Sequence, residues 1–516
     1  MVKKEKNSNK NILVILLHTL LIIGVLFSLF AASYQLRQGD IHFNTDIARD
    51  FLLIEDIVVN QNITLLGPRS GAISGLFHGP LWLYLNVPAF ILGSGDPVSI
   101  GWFWFLLVVS AIGIVFYVGK KMFSTTIGLI SALLTSMLLA TSTGALFNPF
   151  GAVLLSPVFF YLLWKYIENK DWRYLILCIF TIGIIIQFQV AFGGPILVLT
   201  FLLVAYPTYK QKKLAHLLTF FILVIPFSTY AVFDIRHDFL QIKSVVNYMT
   251  EFKESKYTFE QVLLNRIDGI RNTLTLVPYP TKIIILSVAA YLIAIYVQVI
   301  RSKNNKTPYL LYAYFFIGFW LMTLLLKGRV WGYYYWPFVP LTAIILSSGI
   351  QRVPKIFAGI VISLLLLSSF QSIRGYESYL AQDFIGKDSG SWKFNKELAD
   401  IIFKQNDKEF GYFIFSPDEY GYSPKYAMNF VGRQTTGKQI FPYEKKQVTY
   451  LIISGPGGEN NGLEGGWWKE NRVKITSMPD KKWDFPNKFS IEKHTLTKDE
   501  QEIQADTNLI DSLIFR

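Results

Sequence analysis

Charge is scarce in this chain. Only 16% of its 516 residues are Asp, Glu, Lys or Arg, against about 25% in ordinary soluble proteins. Cysteine is scarcer: Cys178 stands alone, so no intrachain disulfide can form. It lies in an apolar run and reads as a buried, inert thiol. HExxH, paired CxxC, the Walker loop GxxxxGK and GxSxG are all missing, and the six histidines are scattered. Those absences argue against a zinc peptidase, a dithiol redox enzyme, a P-loop nucleotidase and an α/β-hydrolase.

Apolar residues are plentiful, at 52% with mean hydropathy +0.36. They gather in twelve runs, near 11–32, 80–94, 98–118, 125–146, 150–167, 174–191, 193–207, 214–233, 281–300, 308–326, 333–350 and 354–370. The chain therefore reads as a polytopic α-helical membrane protein with about 11–13 spans. A net charge of +13 would suit nucleic acid, but the basic residues fill short loops between the runs. Examples are Lys120-Lys121, Lys170 to Arg173 and Lys210 to Lys213. That pattern marks cytoplasmic loops, so no nucleic-acid partner is expected. The first run is too long for a secretory signal and reads as an uncleaved span. Lys3, Lys4, Lys6 and Lys10 hold the N-terminus in the cytoplasm, so residues 34–79 emerge outside, as do residues 234–280. Twelve spans conflict with an outer C-terminus, which needs an odd number. Either the segment 80–94, short and carrying Pro88, does not cross fully, or one basic loop departs from the positive-inside bias.

The stretch 39–80 concentrates ionisable groups: Asp46, Arg49, Asp50, Glu55, Asp56, Arg69 and His78. Ile47, Phe51, Ile54 and Val58 recur at helical spacing, with the acids on other faces. The spacing predicts a short amphipathic helix on the membrane surface, beginning near Thr45 or Asp46. Residues 257–274 predict a second surface helix. From about Gln371 the composition changes. Residues 410–415 and 448–453 read as buried strands, and 393–404 and 424–431 as helices, within a small α/β domain. The division expected is a membrane domain over 1–375 and an extracytoplasmic domain over 376–516. Gly455 to Gly458 is a turn cluster, not a phosphate loop.

Polar residues recur at the expected outer ends of the spans: Asp46-x-x-Arg49-Asp50, Arg69 with His78, Asn148, Gln187 with Gln189, Asp234 with Arg236 and His237, and Lys327 with Arg329 before Tyr333 to Tyr335. Acids can activate a hydroxyl, cations can hold a phosphate, and aromatics can stack on a sugar. Each group also has a plain structural role open to it. Asp46 could only cap a helix, the cations could reach to lipid headgroups, and the tyrosines could form an interfacial belt.

Taken in order, these motifs resemble the membrane glycosyltransferases of the GT-C class. The protein-mannosyltransferase-like and aminoarabinose-transferase-like families are the most similar in pattern. The resemblance rests on Asp46-Ile-Ala-Arg49, His78-Gly79-Pro80 with Trp82 and Tyr84, Asn148-Pro149, Gln187-Phe-Gln189, and Lys327-Gly-Arg329 before Tyr333 to Pro337. It implies a GT-C fold and transfer of a sugar, with inversion, from a polyprenyl-phosphate carrier to a glycan, lipid or protein acceptor at the outer membrane face. It implies catalytic roles for Asp46 and Asp50. Donor-phosphate contacts would come from Arg49, Arg69, His78 and Arg329, and substrate contacts from Asn148, Gln187, Gln189, Tyr333 and Tyr335. The sequence departs from the families at Ile47, Gly79, Asn148 and Gln189, which leaves a divalent metal open. A transporter or flippase of lipid-linked glycans is the competing reading. It predicts inverted repeats and mid-membrane polar groups, neither of which is visible.

Overall fold

A computed structural model describes residues 2–71, 73–250, 258–302, 305–326, 328, 330–416, 420–455 and 465–509, with side chains from residue 12 onward. Every one of the twelve apolar runs is helical over most of its length. Among the described residues, seven helices are long and apolar enough to cross a membrane: Ile12–Ala32, Pro97–Met122, Pro149–Asn169, Val190–Lys210, Leu214–Arg236, Lys282–Arg301 and Lys355–Phe384. Shorter apolar helices lie between them. Leu81–Leu92 has 12 residues with Pro88 inside. That is about 18 Å at 1.5 Å per residue, well below a bilayer core of about 30 Å.

The interior of the bundle is aromatic and aliphatic, with Phe192, Phe315, Phe319 and Phe338 fully buried. Apolar side chains such as Leu13, Leu20 and Phe30 face outward from the first helix. Lipid makes that outward face favourable, as water would not.

The last long helical run continues to Phe384, and the chain then builds a five-stranded sheet. Its strands are β1 (Glu409–Phe415), β2 (Gln439–Pro442), β3 (Val448–Ile453), β4 (Lys481–Asp484) and β5 (Ser490–Thr495). The spatial order is β2-β1-β3-β5-β4. β1 runs parallel to β2 and β3, in register Tyr412 with Tyr450. β5 lies antiparallel to β3 and β4. β1 is buried on both faces, which explains its unbroken apolar sequence. Helices Trp392–Phe403 and Tyr422–Gln434 pack on one face of the sheet.

This domain does not stand apart from the membrane bundle. Residues 40–43 run alongside 390–393, with Trp392 N–H donating to Ile41 O (3.2 Å) and Phe43 N–H donating to Gly390 O. The buried Asp40 carboxylate accepts from Ser391 Oγ (2.8 Å) and Lys393 N–H (2.9 Å). Burial raises its pKa to about 6 despite those bonds. Ser423 Oγ donates to Phe43 O, and Tyr426 OH to Gly95 O, both at 2.6 Å. A single apolar core therefore runs from the loop after the first span into the C-terminal domain.

Two expectations need correction. The first-loop helix (Thr45–Val58) forms, but its apolar stripe meets protein instead of lipid. Phe51 sits 5.3 Å from the Tyr426 ring of the C-terminal domain and 6.1 Å from Trp104 of the bundle. The second surface helix also forms, as Phe259–Thr275 with a Thr258 capping box. Yet Arg266 on it is wholly buried. Its Nη2 donates to the carbonyls of Thr323, Leu326 and Gly328. A cation there satisfies carbonyls orphaned where the later helix Thr307–Thr323 ends.

Candidate active site

The first-loop helix starts because Asn44 caps it, accepting from Ile47 N–H at 3.2 Å. With Ile47, Phe51 and Ile54 buried, the opposite stripe of Asp46, Arg49, Leu53, Asp56 and Ile57 faces a cavity of about 420 Å³. The second wall is the loop from Thr64 to Phe77, including Arg69. The third is Tyr420 and Tyr422 of the C-terminal domain.

Arg49 is shared between two acids. Its Nη1 donates to Asp46 Oδ1 at 2.7 Å, while Nη2 and Nε donate to Asp50 Oδ1 at 2.9 and 3.1 Å. The acids differ in access. The Asp46 side chain is 50% exposed, Arg49 17% and Asp50 3%. Burial raises the Asp50 pKa to about 6, with Arg49 pulling the other way. Burial alone would lower Arg49, but the carboxylates of Asp50 and Asp46 outweigh it and hold its pKa above the ordinary value. Asp56, one wall of the cavity, accepts from the Asn60 and Asn62 amides at 2.9 and 2.8 Å.

The opposing loop is folded tightly on itself. Gly67 N–H donates to His78 O (2.8 Å) and His78 N–H to Pro68 O (2.9 Å), and Arg69 bridges to Phe77. A Cβ on Gly67 would collide with Gly79 O, and one on Gly79 would collide with Gln187, so both positions need glycine. Phe77 N–H donates to Gln241 Oε1 at 3.2 Å, tying this loop to the long loop over 234–280. There Asp234 accepts from Gln241 N–H (3.0 Å) and Ile242 N–H (3.3 Å), a capping role for an acid singled out beside Arg236 and His237.

The remaining sequence candidates divide sharply. Arg69 shares the cavity with Asp46 and Arg49. Tyr333 stands near enough to that pair that, after burial and Tyr334, the Asp46 charge helps raise its pKa. His78 is buried, and its Nδ1 accepts from Val190 N–H at 3.4 Å. Burial, then the Arg49 charge, lowers its pKa to about 3. His78 is therefore neutral, with Nε2–H left as a donor and no charge to offer a phosphate.

Asn148, Gln187 and Gln189 do not line the cavity. Asn148 Nδ2 donates to Phe188 O at 2.7 Å, Gln187 Nε2 to Pro226 O, and Gln189 Nε2 to Tyr333 O at 3.0 Å. They satisfy backbone carbonyls where helices break, which a low-dielectric interior demands. Tyr335 is a correction: it is buried in the bundle, 5.4 Å from the Phe319 ring. The short turn Gly332–Tyr334 sends Tyr333 and Tyr335 to opposite environments. Lys327 and Arg329 lie outside the described residues, as do Pro456 to Gly458.

Sequence reasoning missed Tyr420 and Tyr422. Their rings stack at 5.1 Å across Gly421, whose φ of +56° few other residues adopt. The signal was there as Tyr-Gly-Tyr, in a domain with no assigned role. Among the described residues, no three His, Cys, Asp or Glu stand together as a metal site. Asp46 and Asp50 share the Arg49 guanidinium.

Residues 78–233 match the family described as dolichyl-phosphate-mannose-protein mannosyltransferase. The fold is shared with two crystal structures of ArnT from Cupriavidus metallidurans. The apo form has a TM-score of 0.59 at 9% identity, covering 92% of this chain and 97% of that one. The form bound to undecaprenyl phosphate has a TM-score of 0.58 at 9% identity, covering 93% and 97%. The oligosaccharyltransferase of Archaeoglobus fulgidus aligns more loosely, with a TM-score of 0.45 at 12% identity over 84% and 67%. No curated protein matches the chain. The matched segment begins at His78, beside the acidic helix, and the chain as a whole has the GT-C membrane fold seen in ArnT.

Proposed function

We propose that the protein transfers a sugar from a polyprenyl-phosphate donor to an acceptor hydroxyl at the outer face of the membrane, with inversion. One observation carries this reading: a single cavity brings a half-exposed acid, Asp46, together with the cations Arg49 and Arg69. The fold accommodates such a carrier in ArnT, which binds undecaprenyl phosphate.

In this mechanism Asp46 is the general base. The acceptor oxygen attacks the anomeric carbon and its proton passes to Asp46. The carbon–oxygen bond to phosphate breaks, and the polyprenyl phosphate leaves with the bonding electrons. Negative charge grows on the departing phosphate, and Arg49 and Arg69 stabilise it. Asp50 is too buried to meet substrate. It is a positioning residue that holds Arg49 from behind. Donor phosphate competes for the Arg49 N–H groups, which releases Asp46 to accept the proton only when donor is present.

The helix Pro97–Met122 supports the outward orientation. It starts beside the C-terminal domain, at the Gly95–Tyr426 bond, and ends 26 residues later at Lys120-Lys121. That span of about 39 Å separates the cavity from a basic loop. Cytoplasmic loops carry such charge, which supports a cavity and C-terminal domain outside and an N-terminus inside.

The test is Asp46→Asn, inserted and folded as the wild type, assayed with a polyprenyl-phosphate sugar donor. Undiminished transfer would sink the assignment. Mass analysis of the glycans and glycolipids lost on deleting the gene identifies sugar and acceptor.

A further inference from the structure

Beside the cavity lies a second cleft, of about 430 Å³, walled by the C-terminal domain and by the start of the first-loop helix. Thr45 and Tyr422 line both spaces, so the two adjoin at the residue that precedes Asp46. The volume falls within the range of about 300–1,000 Å³ common for small-ligand sites.

The two linings differ in chemistry. The cavity carries Arg49 and Arg69, as a phosphate requires. The formal charges lining the cleft are Asp388 and Lys488, which cancel, and no arginine is among them. The rest is mostly hydroxyl, carboxamide and glycine, with Tyr422 and Phe489 as aromatic faces. Hydroxyls and carboxamides both donate and accept, matching the dual character of sugar hydroxyls. Aromatic faces pack on the C–H faces of a pyranose.

Two residues of this lining hold unused hydrogen-bonding capacity. Asn395 and Ser454 are both more than nine-tenths buried. Asn395 Oδ1 and Ser454 Oγ have no hydrogen-bond partner. Buried polar atoms are rarely left so, and each orphan asks for a reason. A polyhydroxyl ligand in the cleft supplies one.

We propose that this cleft is the acceptor subsite and takes a neutral oligosaccharide, whose terminal hydroxyl reaches Asp46 past Thr45 and Tyr422. This rests on the transfer reading above and adds the acceptor class to it. The C-terminal domain thereby gains a role, since it forms most of the acceptor's wall.

The experiment uses full-length protein in detergent and two variants, with saturation-transfer NMR as the binding readout. The probes are a panel of neutral tetrasaccharides and a Ser/Thr hexapeptide. Ser389→Trp fills the cleft from an exposed position. Ser454→Ala removes a hydroxyl that bonds nothing in the protein. At least one tetrasaccharide is expected to bind the wild type. Ser389→Trp should weaken that binding at least tenfold, and Ser454→Ala several-fold with an unchanged Tm. The proposal is overturned if no tetrasaccharide binds, if both variants bind as the wild type does, or if only the hexapeptide binds. A tetrasaccharide that binds as expected but never receives sugar from a polyprenyl-phosphate donor would sink the transfer reading and leave the cleft a glycan site.

Discussion

The first-loop helix carries two acid–arginine clusters, and they are used in opposite ways. At its start, Arg49 lies between Asp46 and Asp50, and the cluster opens on a cavity. At its other end, Glu55 pairs with Arg433 and accepts from Asn429 Nδ2 at 2.8 Å, both residues of the C-terminal domain. The chemistry is nearly the same. What differs is whether the cluster closes. Glu55 is buried with both partners supplied by the fold. Asp46 is half exposed, with room beside it for another molecule. A closed cluster can only hold two parts together. An open one can exchange a partner for substrate.

The sharpest way to break this contrast is Asp46→Asn. It should lower kcat by about 10²–10⁴-fold, the usual share of a general base, with Tm unchanged. A stability loss without an activity loss would make Asp46 another structural acid. Glu55→Ala should do the reverse. It leaves Arg433 without its acid and should destabilise by about 1–3 kcal/mol. Thermal unfolding should show the loss, with donor turnover falling only as the domain loosens.

Arg49→Lys sharpens the comparison from the cation's side. Lysine keeps the charge but cannot fork between two carboxylates. The donor KM should rise about tenfold, measured by varying donor at saturating acceptor, while Glu55-dependent stability stays as it was.

The smallest expected effect is in pH dependence. Asp50 titrates near 6 in the folded protein, raised from an ordinary 3.8. Below that value Arg49 loses its rear partner, so donor kcat/KM should fall on the acid side with a midpoint near 6. Asp50→Asn should abolish that limb. His78→Gln should leave it in place, because His78 is already neutral well below pH 6. For stability the sign is set by the raised value. The Asp50 contribution is fully present below about pH 3.8 and is lost as pH rises through about 6. His78, lowered from 6.5, pushes the opposite way, so the difference between wild type and Asp50→Asn isolates the effect.

Much of the architecture is legible in the sequence because lipid imposes a strong rule. Backbone groups in hydrocarbon must bond within the segment, so long apolar runs become helices. The strands at Phe410 and Val448 are equally legible, since β-rich apolar runs between turn residues have few alternatives. The site is less so. Asp46, Arg49 and Arg69 share one cavity, whereas Asn148, Gln187 and Gln189 brace carbonyls at helix breaks. A buried amide looks the same in sequence whether it meets substrate or backbone. Tyr333 and Tyr335 make the same point, two residues apart, one near the acids and the other in the core.

Local pattern alone determined that this chain spans a membrane and carries an acidic amphipathic helix in the loop after its first span. Periodicity and the cost of burying bare peptide groups act over a few residues, within reach of a linear reading. Only the tertiary structure decided that this helix is sandwiched between bundle and C-terminal domain, that Asp46 is open while Asp50 is closed, and that Tyr420 and Tyr422 complete the wall. Those outcomes depend on contacts across more than 300 positions, such as Asp40 with Ser391 and Glu55 with Asn429. No local pattern encodes which distant surface will cover a side chain.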